Sequence, residues 1–285
     1  AGVGLGYDGL GVVARRTPLL GGGLMSYLRL LWIFLRIGVM NELAYRANFW
    51  VQLLQSLVSM GVALAGLAVI FSHTEELGGW QPAELVALLG IFFLMSGLIG
   101  ALVQPSMQRF MEDVRQGTLD FTLTKPEDSQ VLVSISEVRV WKFLDVVQGA
   151  ALIGWALAEI GLQTGFMHAA SFVITLVAGA AIVYSFWLVL ATFSFWFIKA
   201  ENILVIFQAV YSAGKYPVAI YPRWLKMAMT FLVPVAFAVT VPSEALLGRL
   251  STEVFWGALV MAVVMMVGAR VFWLWGVRHY SGASA

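Results

Sequence analysis

The chain has 285 residues, of which 60% are hydrophobic and only 12% charged, with a formal net charge of +1. Soluble domains carry about 25% charged residues, so this composition points to lipid as the solvent and excludes the basic field that nucleic-acid binding requires. No cysteine is present, which excludes disulfides, thiolate metal sites and cysteine nucleophiles, and His73, His168 and His279 lie too far apart for metal-ligand spacing. Residues 1–24 are Gly-rich and lack a long apolar core followed by a small-residue cleavage site, so they read as an N-terminal extension before Met25, not a signal peptide. Residues 25–48 read as an amphipathic interfacial helix, with Arg29, Arg36, Glu42 and Arg46 spaced among Leu28, Leu31, Trp32, Leu35 and Val39.

A membrane span needs roughly 20 largely apolar residues. Runs at 49–71, 85–103, 141–157, 169–198 and 254–277 meet that description, and a shorter one at 203–220 is interrupted by Lys215 and Pro217. Residues 221–249 are apolar but carry Pro222, Pro234 and Pro242, which argues for broken, re-entrant helices before the last span. The expected fold is therefore an all-α integral membrane protein whose transmembrane domain, residues 49–285, has six transmembrane helices. The loops at 72–84 and 159–168 contain no Lys or Arg, whereas the other loops hold Arg109, Arg115, Lys125, Arg139, Lys142 and Lys199. The positive-inside rule then puts both termini in the cytoplasm. Lys215, Arg223, Lys226 and Arg249 fit this arrangement poorly. An alternative makes 203–221 a surface helix and 224–247 the fifth span; the first arrangement is preferred.

The charge-rich island in the loop 105–136 has the most ordered pattern. Met107, Phe110, Met111 and Val114 fall at i, i+3, i+4 and i+7, one apolar stripe on a short helix, while Gln108, Arg109, Glu112, Asp113, Arg115 and Gln116 take the other face. Gly117 is placed to end that helix in the left-handed conformation. Leu119, Phe121 and Leu123 then alternate with Thr118, Asp120, Thr122 and Thr124, an extended pattern up to Lys125-Pro126. A helix with an apolar face on the water side is a docking element, unless the stripe packs on the chain's own connecting helix.

Residues 112–126, EDVRQGTLDFTLTKP, resemble the "E…GTL(E/D)…L…P" loop between the second and third spans of type-2 ABC exporter permeases. These are the membrane subunits of ATP-driven exporters of drugs, lipids, polysaccharides and related cargo. The helix at 25–48 resembles that family's N-terminal connecting helix, and Tyr216-Pro217 through Tyr221-Pro222-Arg223-Trp224-Leu225 with Pro234 resembles its region of outer re-entrant helices. The resemblance implies that the island is a cytoplasmic coupling helix held in a groove of a separate ABC ATP-binding subunit. Met107, Arg109, Phe110, Met111, Glu112, Asp113, Val114, Arg115, Gly117, Leu119 and Asp120 would make the coupling site. Phe110, Met111 and Val114 would supply buried anchor area, and Arg109, Glu112, Asp113 and Arg115 would set register through rim charges. It also implies a bacterial inner-membrane location and a second permease copy or homologous permease. Gln52, Gln55 and Ser59 on the first span are dimer-interface candidates. ATP and Mg would sit on the partner subunit, with no cofactor in this chain, which contains no Gly-x-x-x-x-Gly-Lys-Ser/Thr phosphate loop.

Other constellations read as structural. Lys142 and Asp145, three apart, pair on one helix face; Arg270, near Trp273 and Trp275, reads as an interfacial anchor. The Gly97-x-x-Gly100 pair suits close helix approach. The bulky aromatics Phe186, Trp187, Phe193, Phe195, Trp196 and Phe197 fit lipid contact or helix packing. The alternative functional class, a secondary transporter or other multi-span protein without an ATPase partner, calls for a mid-membrane ion site and internal repeats, and neither is evident.

Overall fold

The computed structural model describes residues 32–40, 46–161, 165–197, 201–232 and 234–280. The extension 1–24, and residues 25–31 and 41–45 of the expected amphipathic helix, lie outside the described residues. All regular elements among the described residues are helical. The chain runs through α1 (32–40), α2 (Arg46–Phe71), α3 (Pro82–Leu98), α4 (Gln104–Gln116), α5 (Asp120–Leu123), α6 (Ser129–Ser134), α7 (Phe143–Ile160), α8 (Phe166–Thr192), α9 (Glu201–Ser212), α10 (Arg223–Met227), α11 (Val241–Leu246) and α12 (Thr252–His279).

Among the described residues, five helices are long and apolar enough to cross a membrane: Ala47–Phe71, Pro82–Gln116, Val140–Ile160, Phe166–Phe195 and Thr252–His279. The second comprises α3 and α4, joined without a break by a π-helical turn at Ile99–Val103. Its 35 residues make a rod about 52 Å long, against a hydrocarbon core of about 30 Å. One end of the rod must stand in water. That end carries α4 and is called the loop end below.

Helix packing within the bundle rests on glycine. Gly90 of α3 and Gly149 of α7 face each other so closely that a Cβ on Gly149 would lie 2.5 Å from the Gly90 carbonyl oxygen and 2.5 Å from the Leu94 nitrogen. Gly97 meets α7 in the same way, a Cβ there falling 2.7 Å from the Val146 nitrogen, while Gly100 lies under the Lys142 side chain. Apolar surface gains little by leaving lipid for another helix, so close backbone approach is what such a contact can offer. α8 packs on α12 through a small cluster of Ala178, Ile182 and Ala262.

Neither placement of a fifth span survives as a continuous helix. α9 has 12 residues, about 18 Å, and gives way to 3₁₀ turns at Ala213–Lys215 and Val218–Ile220. The segment 224–247 is broken into α10, π-helical turns at Ala228–Leu232 and Ala236–Thr240, and α11. The cause is local: Pro217, Pro222 and Pro234 each remove a backbone donor and crowd the preceding turn. Phe207 of α9 packs on Trp187 of α8, Tyr211 on Phe92 of α3, and Ile220 reaches Gly78. The proline-broken segment meets α8 at Gly179, where a Cβ would lie 2.4 Å from the Phe237 carbonyl oxygen, and returns to the start of α8 where Gly248 abuts His168. Arg249 closes it by pairing with Glu84 and donating to the Gly79 carbonyl at 3.1 Å.

Gly149→Ala is expected to destabilise the detergent-solubilised protein by about 1–3 kcal/mol, the usual cost of overpacking. Gly154→Ala on the same helix, where a Cβ meets nothing within 4 Å, is expected to leave the melting temperature unchanged or raise it. Equal melting of the two variants would show that α3 and α7 are not in backbone contact.

Candidate functional site

The polar island occupies the loop end. Met107, Phe110 and Met111 of α4 are buried, Phe110 to within 1% of full burial. Its ring centroid lies 5.4 Å from that of Phe195, just beyond α8, and 5.1 Å from that of Trp273 in α12. Val114 is partly buried against the same core. The helix and its stripe are where the sequence puts them, but the stripe's occupant differs. Phe110 and Met111 have no free surface for a partner, and Val114 has little, because a helix continuous with a membrane span keeps its apolar side turned toward the bundle. Phe195 and Trp273, at the ends of α8 and α12, cover the Phe110 ring, and Phe34 and Ile37 of α1 line a cavity together with it. α1 also borders the return segment, its Gly38 lying so close to Val138 that a Cβ would be 2.6 Å from the carbonyl oxygen.

The polar face of α4 is tied along its length. Arg109 Nε lies 3.1 Å from Asp113 Oδ1, and Glu112 accepts from both Arg115 and Gln116. These exposed i,i+3 and i,i+4 pairs contribute only about 0.2–0.5 kcal/mol each, so they order the surface more than they stabilise it. Gly117 ends the helix at φ 70°, and the Thr118 amide donates to the Asp113 carbonyl at 2.9 Å, a glycine-dependent stop.

The extended pattern expected after Gly117 is instead one helical turn, α5, in which the Thr122 and Leu123 amides donate to the Leu119 carbonyl at 2.8 and 3.1 Å. Among the described residues no strand lies alongside, and the backbone satisfies its polar groups locally. Leu119 is fully buried and anchors the turn, Asp120 is half-buried, and Phe121 is 75% exposed beside the exposed Thr124 and Lys125. Phe121 is the prominent apolar side chain on the loop's surface. The alternation hid this: in a strand, Leu119 and Phe121 would share a face.

Asp128 caps α6, accepting from the Gln130 and Val131 amides at 3.0 and 3.3 Å, the capping role that aspartate favours. Arg270 of α12 forks onto it, with Nη1 donating to Oδ1 at 3.0 Å and Nη2 to Oδ2 at 2.5 Å. Partial burial alone would raise the Asp128 pKa, but the Arg270 hydrogen bond, the two amides and the Arg270 charge outweigh it and hold the carboxyl below its ordinary value. A depressed carboxyl keeps its stabilisation above the unfolded pKa and loses it only as pH falls through the lowered one. The pair is therefore intact at neutral pH. Asp128 and Arg270 were not legible as a pair: the Asp-Ser-Gln-Val start of α6 signals a cap, but nothing local links it to an arginine 142 residues away.

The expected Lys142–Asp145 pair forms at 2.7 Å, with Asp145 buried. Ser56 of α2, which the sequence reading passed over, donates to Asp145. Of its neighbours, Gln52 lines a cavity of about 700 Å³ with Phe34, Arg109 and Trp141, while Gln55 and Ser59 are exposed.

Residues 57–284 match the family model described as ABC-2 family transporter protein. No curated protein and no solved structure matches the chain.

Phe110→Ala is expected to destabilise the protein by about 3–5 kcal/mol, as truncation of a buried aromatic does. Phe121→Ala, on the surface, is expected to change stability by less than about 0.5 kcal/mol. Thermal unfolding of both variants in the same detergent checks the assignment of inner and outer faces.

Proposed function

This chain belongs to the ABC-2 transporter family, as a membrane subunit, and from that premise we propose that it moves cargo out of the cytoplasm, driven by a separate ATP-binding subunit that docks on the loop 105–136. The observation that carries the proposal is the division of the loop into two faces. Met107, Phe110, Met111 and Leu119 root it in the bundle, while Arg109, Arg115, Phe121 and Lys125 face outward. An exposed aromatic on a surface that also carries charges is the usual make-up of an interface hot spot and its rim. Glu112, Asp113, Val114, Gly117 and Asp120 act between the faces by fixing the helix, its stop and the turn. The loop is then both receiver and lever.

Six crossings remain the proposed topology, with α9 and its following turns making the fifth. Supporting this, α8 ends at the loop end, where Phe195 meets Phe110 and Tyr280. α12 begins beside Arg249, at the far end, where that residue pairs with Glu84. The chain between them has to return through the bundle, and Phe207, Tyr211 and Ile220 mark its course. The broken segment then forms a re-entrant hairpin at the outer side, with the loop end and both termini cytoplasmic, in a bacterial inner membrane. A second permease, identical or homologous, would complete the translocation path. The hydrophobic stretch of α2 is only 11% buried, and Gln55 and Ser59 on its open surface suit a contact between copies. ATP and Mg belong to the ATP-binding subunit.

Phe121→Asp is expected to reduce co-purification of the ATP-binding subunit by about tenfold or more, a hot-spot loss, with membrane insertion unchanged. Phe121→Leu is expected to retain most of the association. Retention of the ATP-binding subunit at wild-type levels by the aspartate variant would remove docking through the tip.

A further inference from the structure

Arg270 does more than anchor α12 at an interface. Besides its fork onto Asp128, Nη1 donates to Gln130 Oε1 at 2.9 Å. Gln130 Nε2 donates in turn to the Tyr184 hydroxyl of α8 at 3.1 Å, and that hydroxyl shares a 2.7 Å hydrogen bond with Ser134 at the other end of α6. The start of α6 is thus stapled to α12 and both its ends to α8. Just beyond α6, the Arg139 amide donates to the Ala101 carbonyl and Ser106 Oγ to the Glu137 carbonyl, both at 2.9 Å.

The loop has two routes into the membrane, and they differ in stiffness. The route through α4 into α3 passes the π-helical turn at Ile99–Val103, the kind of irregularity at which helices bend. The route through Asp128 and Arg270 enters α12, a single α-helix of 28 residues from Thr252 to His279. Thirteen residues from Arg270, about 20 Å along that helix, Gly257 lines a cavity of about 480 Å³ at the far end, with Val254 and Met261 of α12 and Phe237, Lys226 and Glu244 of the proline-broken segment. A bidentate arginine–carboxylate pair fixes direction as well as distance, which a strut needs.

We infer that the Asp128–Arg270 pair is the strut that carries displacement of the loop into α12 and so to the wall of the far-end cavity. This rests on the reading of the loop as the docking site of an ATP-binding subunit. Both residues are positioning residues: neither lines the cavity, and each acts through the helix it holds. Contiguity alone does not establish coupling, so the test must read movement.

The absence of native cysteine allows one to be placed at will, and Gly257→Cys is tolerated because a Cβ there meets nothing within 4 Å. The complex with its ATP-binding subunit, carrying Gly257→Cys, is labelled with a maleimide, without nucleotide and after trapping with ATP and vanadate. Trapping is expected to change the labelling rate about fivefold or more, the lower range of allosteric coupling. Arg270→Ala is expected to abolish that change while leaving the nucleotide-free rate and the bound ATP-binding subunit as they were. Asp128→Ser, which keeps an N-cap oxygen for α6 but loses the fork, is expected to do the same, and it keeps the test open if Arg270→Ala folds poorly. A full nucleotide-dependent change in either variant would overturn the strut. An absence of any ATP-binding subunit in the Gly257→Cys parent would instead remove the reading of the loop on which the strut rests.

Discussion

Burial of Phe110 between Phe195 and Trp273 decides the orientation of everything at the loop end. It holds α4 against the ends of α8 and α12, and so fixes which side of the helix faces outward and where Gly117 releases the chain into the α5 turn. The physical setting differs from that of the spans. Between α3 and α7, lipid tails are as apolar as any side chain, so the contact depends on glycine backbones touching at Gly90 and Gly149. α4 extends past the hydrocarbon into water, where removing an aromatic ring from solvent is directly favourable, by about 1.5–3 kcal/mol. Glycine sets the α3–α7 contact and aromatic rings set the seat of α4. One 35-residue rod crosses from the first regime to the second.

The same contact separates the two tasks proposed for the loop. A docking element must show apolar surface to a partner, and a lever must be rigidly seated in what it moves. One amphipathic stripe cannot do both at once. Here the stripe of α4 is spent on seating, and the exposed apolar surface moves to Phe121, held out by a turn whose own anchor is Leu119. Asp128, Gln130 and Ser134 extend the seat to α12 and α8. α2 is attached far more lightly, with Ser56 reaching Asp145 as a polar tie in a helix otherwise open to its surroundings.

Sequence periodicity exposed the α4 stripe, the Gly117 stop and the Lys142–Asp145 pair because each is local, set by the 3.6-residue turn or by a single left-handed position. The identity of what covers the stripe was not local. In a membrane protein an apolar face suits lipid, the same chain or a partner equally well, and Phe110 gives no sign of choosing Phe195 and Trp273. The Leu119–Leu123 alternation misled because a period of two implies a strand only where another strand can pair with it. Five long spans were plain from length and hydropathy. The region 203–249 was not, since its glycine and proline breaks made both a short crossing and a surface helix compatible with the same residues. Arg270 carried a signal of interest as an arginine in an apolar run, but its partner lay too far along the chain for spacing to reveal.

A loop that docks by its tip and transmits through its base is tested most directly by photo-crosslinking in native membranes, with a photoreactive amino acid at position 121 in one preparation and at position 110 in another. Position 121 should yield an adduct with a separate polypeptide that is itself labelled by an azido-ATP analogue, whereas position 110 should yield only adducts within the chain, to α8 and α12. An ATP-binding adduct from position 110, or none from position 121 in membranes where the complex is assembled, would contradict it.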